Sequence, residues 1–189
     1  MAFFINLIMI PKLKTIAISL LMASSVFVQA QQIFPSITCT NLKDKTVNLP
    51  SDYAGKRTVI ALMFSVKADK KMQNWAQPLY NSLVADAVGG MISGNIYNAN
   101  LCFVGTVKGL AKLALPEMIK KAKKEVNNKY HDNFMYTDSA IDELLKTLSI
   151  TDKDNPHFFV IETDGKILHH EFGDFSDNKL NEITGALLN

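Results

Sequence analysis

Two cysteines, Cys39 and Cys102, are the side chains of this 189-residue chain best suited to covalent chemistry. They stand 63 positions apart and so do not form a C-x-x-C pair. Thiol–disulfide exchange needs a thiolate whose pKa is lowered by a helix N-terminus and which stays partly exposed. Cys39 falls in an expected hairpin and Cys102 in the middle of an expected strand, and neither setting activates a nucleophile. Two readings stay open. The pair is either two buried small hydrophobic side chains or a structural disulfide, which requires Cα atoms within about 7 Å.

The other reactive residue types form no recognisable constellation. His169 and His170 are adjacent on an expected strand, so they point to opposite faces and cannot chelate one ion together. His131-Asp132 sits in an expected loop. No cluster has metal-ligand spacing, and there is no phosphate loop, Ser–His–Asp pattern or nucleotide fingerprint. The expectation is no metal, no cofactor and no catalytic residue of these kinds.

The elements that would position these residues follow from periodicity. "SITCTNL" and "TVNLP" flank "KDK" and predict an N-terminal hairpin. "TVIALMFS" (58–65) is a continuous apolar run, as expected of a central strand buried on both faces. From Asp69 to about Val88, the apolar residues Met72, Trp75, Leu79, Leu83 and Val84 recur at helical spacing, and Pro78 should kink or break that helix. "GGMISGNIYN" predicts a flexible connection and "LCFVGTV" (101–107) a second buried strand. "LALPEMIKKAKKEV" reads as a helix whose lysines form a solvated face; an acidic or lipid-headgroup partner is the secondary reading. "NFMYTD" predicts a short strand. The helix in "SAIDELLKTL" should be capped by Ser139 or Asp138. "NPHFFVIETDGKILHHEF" predicts a hairpin turning at Asp164-Gly165, and Ser176 or Asp177 should cap a final amphipathic helix. Strands alternating with helices, closed by a hairpin, predict an α/β sandwich on a mixed sheet.

The first 30 residues differ in kind. Lys12 and Lys14 precede the uncharged run "TIAISLLMASSVFVQA", which ends Val28-Gln29-Ala30 with the small residues a signal peptidase needs. The run is short of the roughly 20 apolar residues of a membrane span. We therefore expect residues 1–30 to be a signal peptide and 31–189 one domain, exported to a bacterial periplasm or secreted. Met9 is an alternative start, and membrane contact is expected only if the signal segment is retained. The absence of a cysteine near the cleavage point argues against a lipoprotein. Without Lys12 and Lys14 the basic count falls from 20 to 18, equal to the acids, so nothing suggests a nucleic-acid surface. Hydrophobic content of 48% with 20% charged residues argues for a packed core over disorder.

Over residues 33–188 the arrangement resembles the thioredoxin-like superfamily, in its redoxin and peroxiredoxin-like branch. "FPSITCTNLKDKTVNLPSDYAGKR" is similar to that branch's N-terminal hairpin, "TVIALMFSVKA" to the strand entering the active-site helix, and "NPHFFVIETDGKI" to the cis-proline segment. Where such proteins carry C-x-x-C, this chain has "FSVKADKKMQNW". The Trp75-x-x-Pro78 pair, and the basic helix followed by "NNKYHDNFMY", resemble the mitochondrial ATPase-complex assembly factors, which lack C-x-x-C. The resemblance implies a thioredoxin-like three-layer sandwich with a hairpin extension. It also implies a binding groove lined by Asp69, Lys70, Lys71, Trp75, Pro156 and His157. Each has a plainer reading: Asp69 as a helix cap, Trp75 as core, Pro156 as a backbone shaper.

The function expected is an exported, non-redox binding or assembly factor with a protein or peptide client. The alternative is a thiol–disulfide oxidoreductase or peroxiredoxin-like enzyme using Cys39 or Cys102.

Overall fold

A computed structural model describes residues 32–84 and 97–188. The expected signal segment and most of the Gly-rich connection lie outside the described residues. Strands β1 (Ile37–Asn41) and β2 (Thr46–Leu49) form the N-terminal hairpin. Next come β3 (Thr58–Met63), α1 (Val66–Leu83), β4 (Asn100–Thr106), α2 (Ala111–Glu125), β5 (Phe134–Thr137) and α3 (Ile141–Thr147). The hairpin of β6 (His157–Ile161) and β7 (Ile167–Phe172) and the final helix α4 (Asp177–Gly185) complete the chain.

The strands form one mixed sheet in the order β2-β1-β5-β4-β3-β6-β7. β3 pairs parallel to β4 and antiparallel to β6, and all six of its residues are buried. That double burial is why its sequence is uninterruptedly apolar. Alternation then divides the core into two layers. Ile60, Leu62, Cys102, Val104, Phe159 and Ile161 pack with the hairpin and α3. Val59, Ala61, Leu101, Phe103, Phe158 and Val160 pack with α1 and α4. The result is the three-layer α/β sandwich with a hairpin extension that the sequence predicts. No helix among the described residues is long and apolar enough to cross a membrane.

Three local expectations need correction. Helix α1 begins at Val66, three residues before Asp69, because the Ser65 hydroxyl accepts a hydrogen bond from the Ala68 N–H and caps it. Pro78 does not end α1, which continues to Leu83. Burial of Met72, Trp75, Leu79 and Leu83 along one face offsets the roughly 3 kcal/mol that an interior proline costs. Neither Ser139 nor Asp138 caps α3. Its N-cap is Ala140 in a left-handed conformation (φ 49°), and the Asp138 carboxylate instead pairs with Lys112 at 2.8 Å. Ser176 does cap α4, accepting from the Lys179 N–H. Asp164-Gly165 forms the β6–β7 turn, with Gly165 at φ 86°, a conformation suited to glycine.

Trp75 is fully buried. Its ring packs against Phe158 and Phe175, with centroids 4.2 and 5.1 Å away. Its Nε1 donates to the Gly173 carbonyl at 2.9 Å, tying α1 to the end of β7. Trp75→Ala should cost about 3–5 kcal/mol in urea denaturation followed by circular dichroism. Trp75→Phe, which keeps a ring but leaves the Gly173 carbonyl unpaired, should cost about 1–3 kcal/mol.

Candidate binding site at the start of helix α1

β3 delivers Phe64 and Ser65 to the sheet's end, and the loop before β6 meets them there. The Ser65 hydroxyl donates to Asp154 (3.2 Å), and Lys67 pairs with the same carboxylate at 2.8 Å. Lys71 donates to the Asn155 side-chain oxygen (2.6 Å) and pairs with Asp174 at 3.2 Å. Asn155 in turn donates to Asp152 at 2.6 Å. These bonds latch residues 152–155 onto the first two turns of α1, so the loop does face the helix start. The bond from Lys67 holds the Asp154 carboxyl below its usual range, against desolvation and with help from the Ser65 hydroxyl.

The groove residues separate on this scaffold. Asp69 and Lys70 are exposed, and Lys71 is half-buried in the latch. Trp75 lies beneath, in the core, without accessible surface. Pro156 is buried, and its peptide bond is trans; the cis peptide among the described residues is Leu49–Pro50. X–Pro bonds differ by only about 0.5–1 kcal/mol between isomers, so local packing rather than the residue type decides. His157 is buried too. Its Nε2 lies 2.6 Å from the Asp152 carbonyl and its Nδ1 lies 3.0 Å from His170 Nε2. A carbonyl only accepts, so His157 carries its proton on Nε2 and accepts from His170 at Nδ1. Desolvation holds its pKa below the ordinary value, and that of His170 falls to about 4, again chiefly by desolvation. Neither ring is a charge on a groove wall at neutral pH.

A cavity of about 380 Å³ opens beside this point, between the sheet's end and α2. Its walls are apolar: Met63, Phe64, Phe103, Leu115, Met118 and Ile119 contribute to it, with Asp69 among the few polar groups. Helix α2 has no fully buried residue. Its half-buried Leu115, Ile119 and Ala122 form a stripe at helical spacing that lines the space. The Asp69 carboxyl has a raised pKa, foremost from desolvation. Lys121 opposes that shift and Glu125 adds to it. The cavity's volume and its apolar lining with few polar groups are those of a ligand pocket. The stripe in "LALPEMIKKAKKEV" was the available sequence signal, masked by the lysines between its members.

Both thiols are free and buried. β5 lies between β1 and β4. Through β5 the register sets Thr40 level with Gly105, so Cys39 lies two strand spacings across the sheet and about four residues along it from Cys102. This exceeds the reach of a disulfide, so the structure does not bring that pair together. Desolvation pushes both thiols from 9.0 up to about 12. A bond from the Tyr53 hydroxyl to Cys102 only partly opposes this.

No protein-family model matches the sequence, and no curated protein matches it. Solved structures do. The pneumococcal exposed lipoprotein thioredoxin Etrx1 from Streptococcus pneumoniae superposes with a TM-score of 0.53 at 12% identity, over 80% of this chain and 98% of that one. StoA from Bacillus subtilis gives 0.52 at 18% identity, over 80% and 98%. BsSco, described as a member of the Sco family of cytochrome c oxidase assembly proteins, gives 0.51 at 16% identity, over 84% and 95%. The fold is thioredoxin-like. At these identities the likeness concerns architecture alone.

The raised thiol pKa values have a consequence for stability. Above pH 9 the unfolded chain releases thiol protons that the folded chain retains up to about pH 12. This contribution is fully present below pH 9 and is lost as pH rises toward 12. A Cys39→Ala/Cys102→Ala variant should therefore show a shallower alkaline fall in unfolding free energy than the parent chain, read from urea titrations across that range. An unchanged slope would mean that the thiols ionise freely in the fold.

Proposed function

We propose that this protein is an exported, non-redox member of the thioredoxin-like superfamily that acts as a binding or assembly factor. It would hold an apolar segment of a protein or peptide client in the cavity beside α1. The observation that carries the reading is the first turn of α1. The segment Ser65-Val66-Lys67-Ala68-Asp69 offers a cap, a latch and a carboxylate, but no thiol. Both cysteines lie elsewhere, buried and protonated at neutral pH. Export rests on the charged lead-in, apolar run and small-residue end of residues 12–30. Kinship with the ATPase-complex assembly factors rests on Trp75-x-x-Pro78 and the absent C-x-x-C. Nothing in the residues or their charge points to a nucleic-acid partner.

Two measurements test the proposal together. Insulin reduction and hydroperoxide turnover should stay at background, unchanged by Cys39→Ser or Cys102→Ser. Cysteine-dependent turnover would overturn the non-redox reading in favour of an oxidoreductase. The apolar dye 1-anilinonaphthalene-8-sulfonate should bind the parent chain and bind Ala122→Phe, which fills the cavity, about tenfold more weakly, a change of about 1.4 kcal/mol. Equal binding would take the cavity out of the account.

A further inference from the structure

We propose that His169, Glu171 and Glu182 form a binding site for a divalent transition-metal ion of the Zn²⁺ class. The site lies on the β7–α4 edge and is independent of the cavity beside α1. Two residues apart on a strand, His169 and Glu171 share a face. Their pairing partners, Val160 and Phe158, belong to the layer packed with α1 and α4, so both side chains face that layer. A bulge sets this phase. Ile161 pairs with Ile167 and Val160 with His169, leaving Leu168 as the extra residue. Helix α4 supplies Glu182. One ligand atom from each of the three residues lies within 4.8 Å of the others. A tetrahedral ion with bonds of about 2.1 Å spaces its ligands about 3.4 Å apart. The exposed Glu182 side chain can close that difference by rotation.

Two further observations point to an ion. His169 Nε2 is sealed from solvent and has no hydrogen-bond partner among the described residues, an arrangement that folded proteins rarely leave. The Glu171 side chain is only 12% exposed; the Phe172 N–H at 2.7 Å and Lys179 Nζ at 3.2 Å both engage Oε1, and the Glu182 side chain lies within hydrogen-bonding reach of the Glu171 carboxyl. Two carboxylates held this close repel unless a cation or a proton lies between them. Lys179 offsets one of two carboxylate charges, so the cluster keeps a net negative charge that favours a cation. An imidazole nitrogen beside two carboxylates selects Zn²⁺-class ions over Ca²⁺ or Mg²⁺. A surface depression lined by Leu168, His169, Glu182, Gly185 and Ala186 lies over this edge and gives an ion access to it. His169 and His170 point to opposite faces, as adjacency on a strand requires, and the residue the strand aligns with His169 is Glu171.

The test is calorimetric titration of the purified, chelator-treated chain with Zn²⁺, with Co²⁺ absorption reporting ligand type. One Zn²⁺ per chain is expected. His169→Gln and Glu182→Gln should each weaken binding by at least about tenfold. Glu182→Gln changes an exposed side chain and should keep the parent's metal-free unfolding midpoint, so its loss of binding would not reflect misfolding. No binding by the parent chain, parent-like affinity in both variants, or equal affinity for Ca²⁺ would each overturn the assignment.

Discussion

Burial of β3 on both faces is the constraint from which the rest of the molecule follows. A strand with six buried residues in a row has no polar edge to expose, so each face must be covered by its own layer. The hairpin and α3 cover one face, and α1 and α4 cover the other. The chain leaves β3 at the sheet's end with only Phe64 before the cap, so Ser65 and the start of α1 are fixed there by the core. The neighbours of β3 are then fixed as well. β4 carries Cys102 into the interior, and β6 brings Pro156 and His157 into the same wall.

The start of α1 is held in place without sulfur. The loop before β6 is held to α1 by Lys67, Lys71, Ser65, Asp154 and Asn155, a set of charge-assisted and neutral hydrogen bonds that needs no sulfur. The exposed ion pairs contribute little individually, about 0–1 kcal/mol each, but they share partners and so restrain one loop together. The interior meanwhile uses cysteine as a small apolar side chain. Desolvation that raises a thiol pKa to about 12 removes the nucleophile at neutral pH.

The sequence made the architecture legible where periodicity was strong. The apolar run 58–65, the hairpin turning at Asp164-Gly165 and the Ser176 cap all occur where their patterns place them. Less legible were features decided by distant partners. Asp138 looks like a cap until Lys112 takes its carboxylate, and Pro78 looks like a breaker until four buried side chains hold the helix through it. The candidate groove was legible only in part. Asp69, Lys70 and Lys71 are accessible, whereas Trp75, Pro156 and His157 belong to the interior, which no single-residue property reveals. The cavity under α2 and the His169–Glu171–Glu182 cluster depend on helix placement and a one-residue bulge, and tertiary structure alone sets these.

The central claim is that this thioredoxin-like chain carries no activated thiol. Its most direct test is the reaction of the native protein with a disulfide reagent near neutral pH, followed by the same titration after denaturation. The account predicts that neither cysteine reacts until the chain unfolds, and that two thiols then appear. Rapid labelling of either cysteine in the folded protein would contradict it.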